Sequence, residues 1–145
     1  MLNMKISEIK TYSNRIFDAV LRLLPQLGAD TSAFTKRYFK SLLNSRQTHF
    51  FIAEVNDQIA GMLTIGTYDI HSGTKMWIED VVVDISHRGK GIGKELTLFA
   101  LEYARSLGAK SIELTSRPSR IEANRLYQKL GFELRETNVY QHNLL

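Results

Sequence analysis

The sequence predicts an α/β fold: a mixed, mostly antiparallel sheet of six to seven strands flanked by about four helices. Three observations carry that expectation. Thr48–Val55 and Ile59–Tyr68 are apolar, β-branched runs joined by Asn56-Asp57, a pair suited to a tight hairpin turn. From Met76 onward the pattern alternates strand, helix, strand, helix, strand, which implies right-handed crossovers and locally parallel pairing. Within that half, Ile92, Leu96, Phe99/Ala100, Tyr103 and Leu107 recur at steps of three and four, the signature of a long amphipathic helix that Gly108 ends.

The remaining elements follow in order. Residues 4–10, MKISEIK, alternate as a short first strand. Ser13 or Asn14 caps a helix that turns Ile16, Val20, Leu23/Leu24 and Leu27 inward, with Gly28 closing it. A cap at Asp30, Thr31 or Ser32 opens a second helix carrying Phe34, Tyr38, Leu42 and Leu43. Ser72-Gly73 turns the chain into the strand Met76–Asp84, and Ser111–Ser116 forms the strand after the long helix. Ser119-x-x-Glu122 reads as a capping box for the last helix, and Gly131 ends it. The tail FELRETNVYQHNLL has room for two abbreviated strands or one bent strand.

Composition bounds the chemistry. A chain of 145 residues fits one domain, 1–145, able to bury about 70% of the surface its unfolded form exposes. Hydrophobic content of 43% and charged content of 23% are those of an ordinary globular chain. There is no cysteine, which excludes disulfides, thiolate metal sites and a Cys nucleophile. The N-terminal MLNMKISEIK has no apolar core for a signal peptide and no run approaches about 18 apolar residues, so a cytoplasmic location is expected. The net charge of +4 suits an anionic cofactor but is too diffuse to argue for nucleic acid or a membrane. His49, His71, His87 and His142 show no ligand spacing, so no metal is expected.

The informative stretch is Arg88-Gly89-Lys90-Gly91-Ile92-Gly93-Lys94, between the strand ending Val81-Val82-Val83 and the long helix. Glycines let backbone amides approach a ligand, a helix start offers unpaired N–H groups and a positive dipole end, and three cations flank them. Such a bend suits an anion, most simply a pyrophosphate. A Walker loop would need glycine at Arg88 and Ser or Thr at Glu95. A dinucleotide fingerprint would need glycine at Lys94 or Leu96. Neither fits.

Arg88-x-x-Gly91-x-Gly93 resembles the pyrophosphate loop of the GNAT superfamily of N-acetyltransferases. Ala123-Asn124-Arg125-Leu126-Tyr127-Gln128-Lys129-Leu130-Gly131-Phe132 is similar to that family's second signature, Ala-x-x-Leu-Tyr-x-x-Leu-Gly-Phe. The resemblance implies a GNAT-like sheet whose central parallel pair splays apart, with acetyl-CoA as cosubstrate. It implies that the amides of Arg88, Gly89, Lys90, Gly91, Ile92, Gly93 and Lys94 hold the pyrophosphate. The main chain at Val81 and Val83 would pair with the pantetheine arm, and an N–H near Val82 or Val83 would polarise the thioester carbonyl. Arg120 stands where many relatives have an Asn that contacts the coenzyme, and Asn124 lies one turn later; either could make that contact, or Arg120 could instead reach the adenosine phosphates or serve only as a polar residue of the first turn.

Two side chains are candidates for the chemistry. An aromatic at helical spacing is ordinarily packing, but the signature around Tyr127 implies a hydrogen bond to the coenzyme sulfur and protonation of the leaving thiolate. A thiol of pKa about 8.5 and a phenol of about 10 make that transfer uphill by about 2 kcal/mol, so stabilising the thiolate matters more than full proton delivery. Glu79 is the first candidate for the amine's proton and Asp80 the second. A primary amine of pKa about 10.4 is only about 1 part in 2,500 neutral at pH 7, worth about 4.6 kcal/mol of barrier. Strand alternation would set Glu79 on the face of Val81 and Asp80 on the other; a salt bridge to a flanking helix is the plainer role for Glu79. Tyr12, Phe34, Tyr38, Tyr68 and His71 fall where an acceptor pocket could be lined.

The expected activity is acetyl transfer from acetyl-CoA to a primary amine of a small molecule, by direct attack in a ternary complex. A homodimer is compatible with this reading. The rivals are acetylation of a protein lysine or N-terminus, a non-catalytic acyl-CoA-binding sensor, and, weakest, a plain nucleotide-binding protein.

Overall fold

A computed structural model describes residues 3–145 of the chain. Internal contacts divide it into two compact units, one ending at Thr115 and one beginning at Ser116.

The first unit is built on an antiparallel sheet of four strands in the order β1-β2-β3-β4: β1 Met4–Glu8, β2 Thr48–Val55, β3 Gln58–Ile70 and β4 Gly73–Val83. The β2–β3 hairpin turns at Asn56 and Asp57, with φ of 49° and 63°, the double left-handed conformation that hairpins favour and that Asn and Asp tolerate. Helices α1 (Asn14–Leu23) and α2 (Lys36–Asn44) separate β1 from β2, and α3 (Ile92–Ser106) follows β4.

Each sheet face has its own apolar layer. On one, Phe50, Ile52, Ile59, Met62 and Val82 pack with Ile16, Phe17, Val20 and Leu23 of α1 and Phe39 of α2. On the other, Gly61 gives α3 its seat: a Cβ there would lie 2.9 Å from the Val82 carbonyl oxygen, 3.2 Å from Leu96 Cδ1 and 3.4 Å from Ile92 Cγ2. Phe51 meets Phe99 of α3 edge-on at 5.1 Å between ring centroids. The second unit holds α4 (Ile121–Lys129) and then an exposed segment without regular structure.

Several expectations need correction. The described residues contain a sheet of four strands, not six to seven. Residues 111–116 form no ladder but a single parallel bridge, Trp77 with Glu113, in which Ile78 N–H donates to the Glu113 carbonyl at 2.8 Å and Glu113 N–H to that of Met76 at 3.0 Å. Beyond Glu133 the run Leu-Arg-Glu-Thr-Asn has one apolar residue, too few for a strand face, and Leu134 lies in solvent. In the second helix the cap is Thr35, whose Oγ1 accepts from Tyr38 N–H at 3.1 Å, while Asp30 instead binds Ser32. That later start turns Phe39, not Tyr38, into the core. The capping box does not form either: α4 starts after Arg120 with no side-chain cap.

Candidate functional site

The site begins with an irregularity in β4. Met62 pairs with Val82, but Thr64 pairs with Glu79, so two steps along β3 are matched by three along β4. The extra residue is a β-bulge at Asp80-Val81, and Asp80 adopts φ of 50°, a left-handed conformation in which Asp is among the less penalised residues. Cross-strand partners share a face, so the bulge exchanges the faces of β4. Ile78 lies opposite Ile65 on the α3 side, whereas Val82 lies opposite Met62 in the α1–α2 layer.

This corrects the alternation argument for Glu79. Paired with Thr64, Glu79 lies on the Met62 face, while Val83, paired with Gly61, and Val81 with it lie on the α3 face. Glu79 and Val81 therefore point to opposite sides. The bulge also exchanges the edges. Below it, Ile78 N–H points outward to Glu113; above it, Asp84 N–H points inward to the Ala60 carbonyl at 2.8 Å. By alternation Val82 also turns its peptide groups inward, and Val81 and Val83 turn theirs outward.

Both carboxylates at the bulge are exposed. Even so, partial desolvation raises the pKa of Glu79, with the neighbouring Asp80 charge adding to it, and desolvation raises that of Asp80. A raised carboxylate is a better proton acceptor than an ordinary one.

After β4 a short 3-10 turn, Ile85–His87, leads to the basic bend. Gly89 and Gly91 have φ of 76° and 82°, which accounts for glycine at both; Gly93 already belongs to α3. The N-cap of α3 is Gly91, with no side-chain cap, whereas α1 and α2 are capped by Ser13 and Thr35. The first helical bond runs from Glu95 N–H to the Gly91 carbonyl at 3.1 Å, which leaves the N–H groups of Ile92, Gly93 and Lys94 without intrahelical acceptors. Arg88, Gly89, Lys90, Gly91 and Lys94 are exposed. The Arg88 side chain folds back so that Nε donates to the Val83 carbonyl at 3.1 Å. The bend is thus an uncapped helix start ringed by cations, a geometry chemically suited to an anion.

In the second unit the end of α4 accounts for much of its signature. Phe132 N–H donates to the Tyr127 carbonyl at 3.0 Å and Gly131 N–H to that of Gln128 at 3.1 Å, with Gly131 at φ of 92°. This is a Schellman cap, and its apolar contact is Phe132 against the Tyr127 ring, edge-on at 5.7 Å. Leu-Gly-Phe therefore ends the helix and fixes the tyrosine at once. Burial raises the Tyr127 pKa against an opposing pull from the Arg120 charge, so its phenol holds its proton firmly. The Asn124 amide donates to the Arg117 carbonyl at 3.0 Å, which commits that donor to the helix entry.

A family model for the acetyltransferase (GNAT) family matches residues 15–132. The chain belongs to the GNAT family. An aminoalkylphosphonate N-acetyltransferase of Salmonella typhimurium is 29% identical over 136 residues, covering 90% of this chain and 87% of that protein. Human N-acetyltransferase 8B is 32% identical over 111 residues, covering 74% of this chain and 46% of its own length. An N-acetyltransferase of Methanocaldococcus jannaschii is 34% identical over 102 residues, covering 68% of this chain and 45% of its own. The chain thus spans about half the length of several of the curated relatives it matches. Among solved structures, one titled a transcriptional regulator from Bacillus halodurans superposes with a TM-score of 0.80 at 26% identity, over 97% of this chain and 100% of that one. An aminoglycoside N-acetyltransferase in complex with CoA superposes at 0.80 and 19% identity, over 100% and 97%, a likeness of fold. Among the described residues no helix is long and apolar enough to cross a membrane. Among the described residues no group of three or more His, Asp or Glu side chains is placed to hold a metal ion.

Sequence reasoning missed the bulge, because strict alternation leaves no place for an inserted residue. It also passed over Asp84, whose buried carboxylate precedes the bend and which reads in sequence as the polar end of a strand.

Proposed function

We propose that the chain transfers the acetyl group of acetyl-CoA to the primary amine of a small molecule, by direct attack within a ternary complex, and that both units act as one acetyltransferase domain. The observation that carries this reading is the uncapped, glycine-laced start of α3 directly after the outward-facing peptide groups of Val81 and Val83. One suits a diphosphate and the other an amide-bearing arm, in the order in which they occur along CoA.

In this reading the amides of Arg88–Lys94, with Arg88, Lys90 and Lys94, bind the pyrophosphate. The outward N–H of Val81 or Val83 polarises the thioester carbonyl, and Val82 holds these two in register. Arg120 contributes charge to the coenzyme side, and Asn124 braces the entry to α4. Glu79, with its raised pKa, accepts the amine's proton directly or through water. Tyr127 donates a hydrogen bond to the departing thiolate; a phenol whose pKa is raised makes full transfer still more uphill, so stabilisation is its larger contribution. The absence of cysteine favours direct attack over a thioester-linked enzyme. The small-molecule acceptor is supported by the name of the relative matched over most of both chains, an aminoalkylphosphonate N-acetyltransferase.

Calorimetry with CoA, followed by thiol release from acetyl-CoA against a panel of amines, tests the reading. Binding of CoA with release driven by a small amine is expected. No CoA binding would overturn it, and release driven only by lysine peptides would move the acceptor to protein.

A further inference from the structure

The mechanism leaves one buried ionisable group without a task. Asp84, 7% exposed, stands between β4 and the basic bend. Its Oδ1 accepts from the Ser86 N–H and hydroxyl, both at 3.2 Å, and its Oδ2 lies 3.4 Å from the Arg22 guanidinium. Arg22 also donates to the Ile59 carbonyl at 2.9 Å, so one side chain ties α1 to β3 and to the end of β4. In the turn after α1, the Gln26 Oε1 accepts from Ile85 N–H at 2.9 Å. The chain's own bonds complete the arrangement, with His87 N–H donating to the Asp84 carbonyl at 2.8 Å and Arg88 Nε to that of Val83.

These contacts all fall on the few residues that carry the chain from β4 into the bend. Two side chains distant in sequence, Arg22 and Gln26, converge there, although a short 3-10 turn needs only its own Asp84–Ser86 cap. Arg22 and Gln26 are held in turn: Val20 and Leu23 of α1 are buried in the same layer as Val82. Burial would raise the Asp84 pKa, but the Ser86 N–H, the Arg22 charge, the Ser86 hydroxyl and Gln26 outweigh it, so the carboxylate stays ionised and the contact to Arg22 charged.

We infer that Arg22, Gln26 and Asp84 form a brace that fixes the angle at which the chain leaves β4, and so positions the amides of Arg88–Lys94 for the coenzyme diphosphate. They are positioning residues contributed by α1, by the turn after it and by the residue that follows β4. The inference rests on the coenzyme-binding reading above. Loosening the brace lets the bend sample orientations in which its amides diverge, which weakens coenzyme binding before it affects the chemistry of a bound coenzyme.

The test compares Arg22→Met, Asp84→Asn and Gln26→Met with the unmodified chain by CoA calorimetry and by steady-state kinetics with acetyl-CoA. The expected result is a rise of about tenfold in CoA Kd and acetyl-CoA KM with kcat at saturation within about twofold, and a double variant Arg22→Met/Asp84→Asn no worse than the poorer single one. A merely structural role gives the opposite split, because a partly unfolded sample lowers apparent kcat and leaves KM unchanged; that split, or unchanged Kd in all three, overturns the brace. Gln26→Met removes one acceptor from a half-buried side chain, so it keeps the test decisive if the variant at the buried Asp84 fails to fold. Failure of the unmodified chain to bind CoA would overturn the coenzyme reading instead.

Discussion

The two halves of β4 are made from one continuous run of residues yet do different work. In the half before Asp80, Ile78 packs toward α3 and the outer edge is bonded to Glu113. In the half after it, Val82 packs toward α1 and α2, and Val81 and Val83 turn their peptide groups outward. One additional residue separates these states. A regular strand offers the same face and the same bonding edge along its whole length; a bulge allows a single strand to close the sheet at one end and leave a recognition edge at the other. Glu79 sits at the changeover, which sets a carboxylate of raised pKa beside that edge.

Asp80→Val would disrupt β4 most, because a β-branched residue is heavily penalised at φ of 50°. Regular pairing with residue 80 kept would set Val81 opposite Met62, in the α1–α2 layer with its peptide groups inward; we expect CoA binding to weaken by about a hundredfold or more, measured by calorimetry. Asp80→Gly is the control, since glycine accepts φ of 50° without strain, and it should keep most of the affinity. Equal losses in both would show that the carboxylate, not the bulge, matters.

Tyr127→Phe separates binding from chemistry. Turnover should fall well beyond tenfold while CoA Kd changes little; unchanged turnover would remove Tyr127 from the mechanism. The smallest effect sharpens the role of the changeover residue. Glu79→Gln should slow acetyl transfer and erase the acidic limb of the pH–rate profile. The same change should raise the melting temperature near neutral pH. The sign follows from the raised pKa: an ionised Glu79 costs the folded state above its folded pKa, and that cost disappears as pH falls through it. A pH profile identical to that of the unmodified chain would reassign the proton to another group.

Local features were legible from residues alone. The bend from Arg88 to Lys94 announces itself because the glycines that allow a left-handed turn and the cations that favour an anion are adjacent in sequence. The hairpin at Asn56-Asp57 and the end of α3 at Gly108 are equally local. What escaped depends on partners far along the chain. The bulge at Asp80 is defined only by its register with β3. Choosing Phe39 over Tyr38 depends on where α2 starts, and Thr35 lost that choice to Asp30, Thr31 and Ser32 because all four are good caps. Residues 111–116 have strand composition but find only one bridge, so counting apolar runs overcounted strands. Arg22 and Gln26 look like ordinary polar positions of an amphipathic helix until Asp84 and Ile85 are brought against them.

Gly61 carries a consequence for anyone redesigning this chain. The backbone oxygen of Val82 cannot yield to a side chain at position 61, so a methyl group there would have to displace Ile92 and Leu96, the opening turn of α3. A position with no charge and no polar side chain thereby controls the standoff of the helix whose exposed tip we propose as the diphosphate site. Graded bulk at that point would act as a shim, shifting coenzyme preference while every residue of the basic bend keeps its identity.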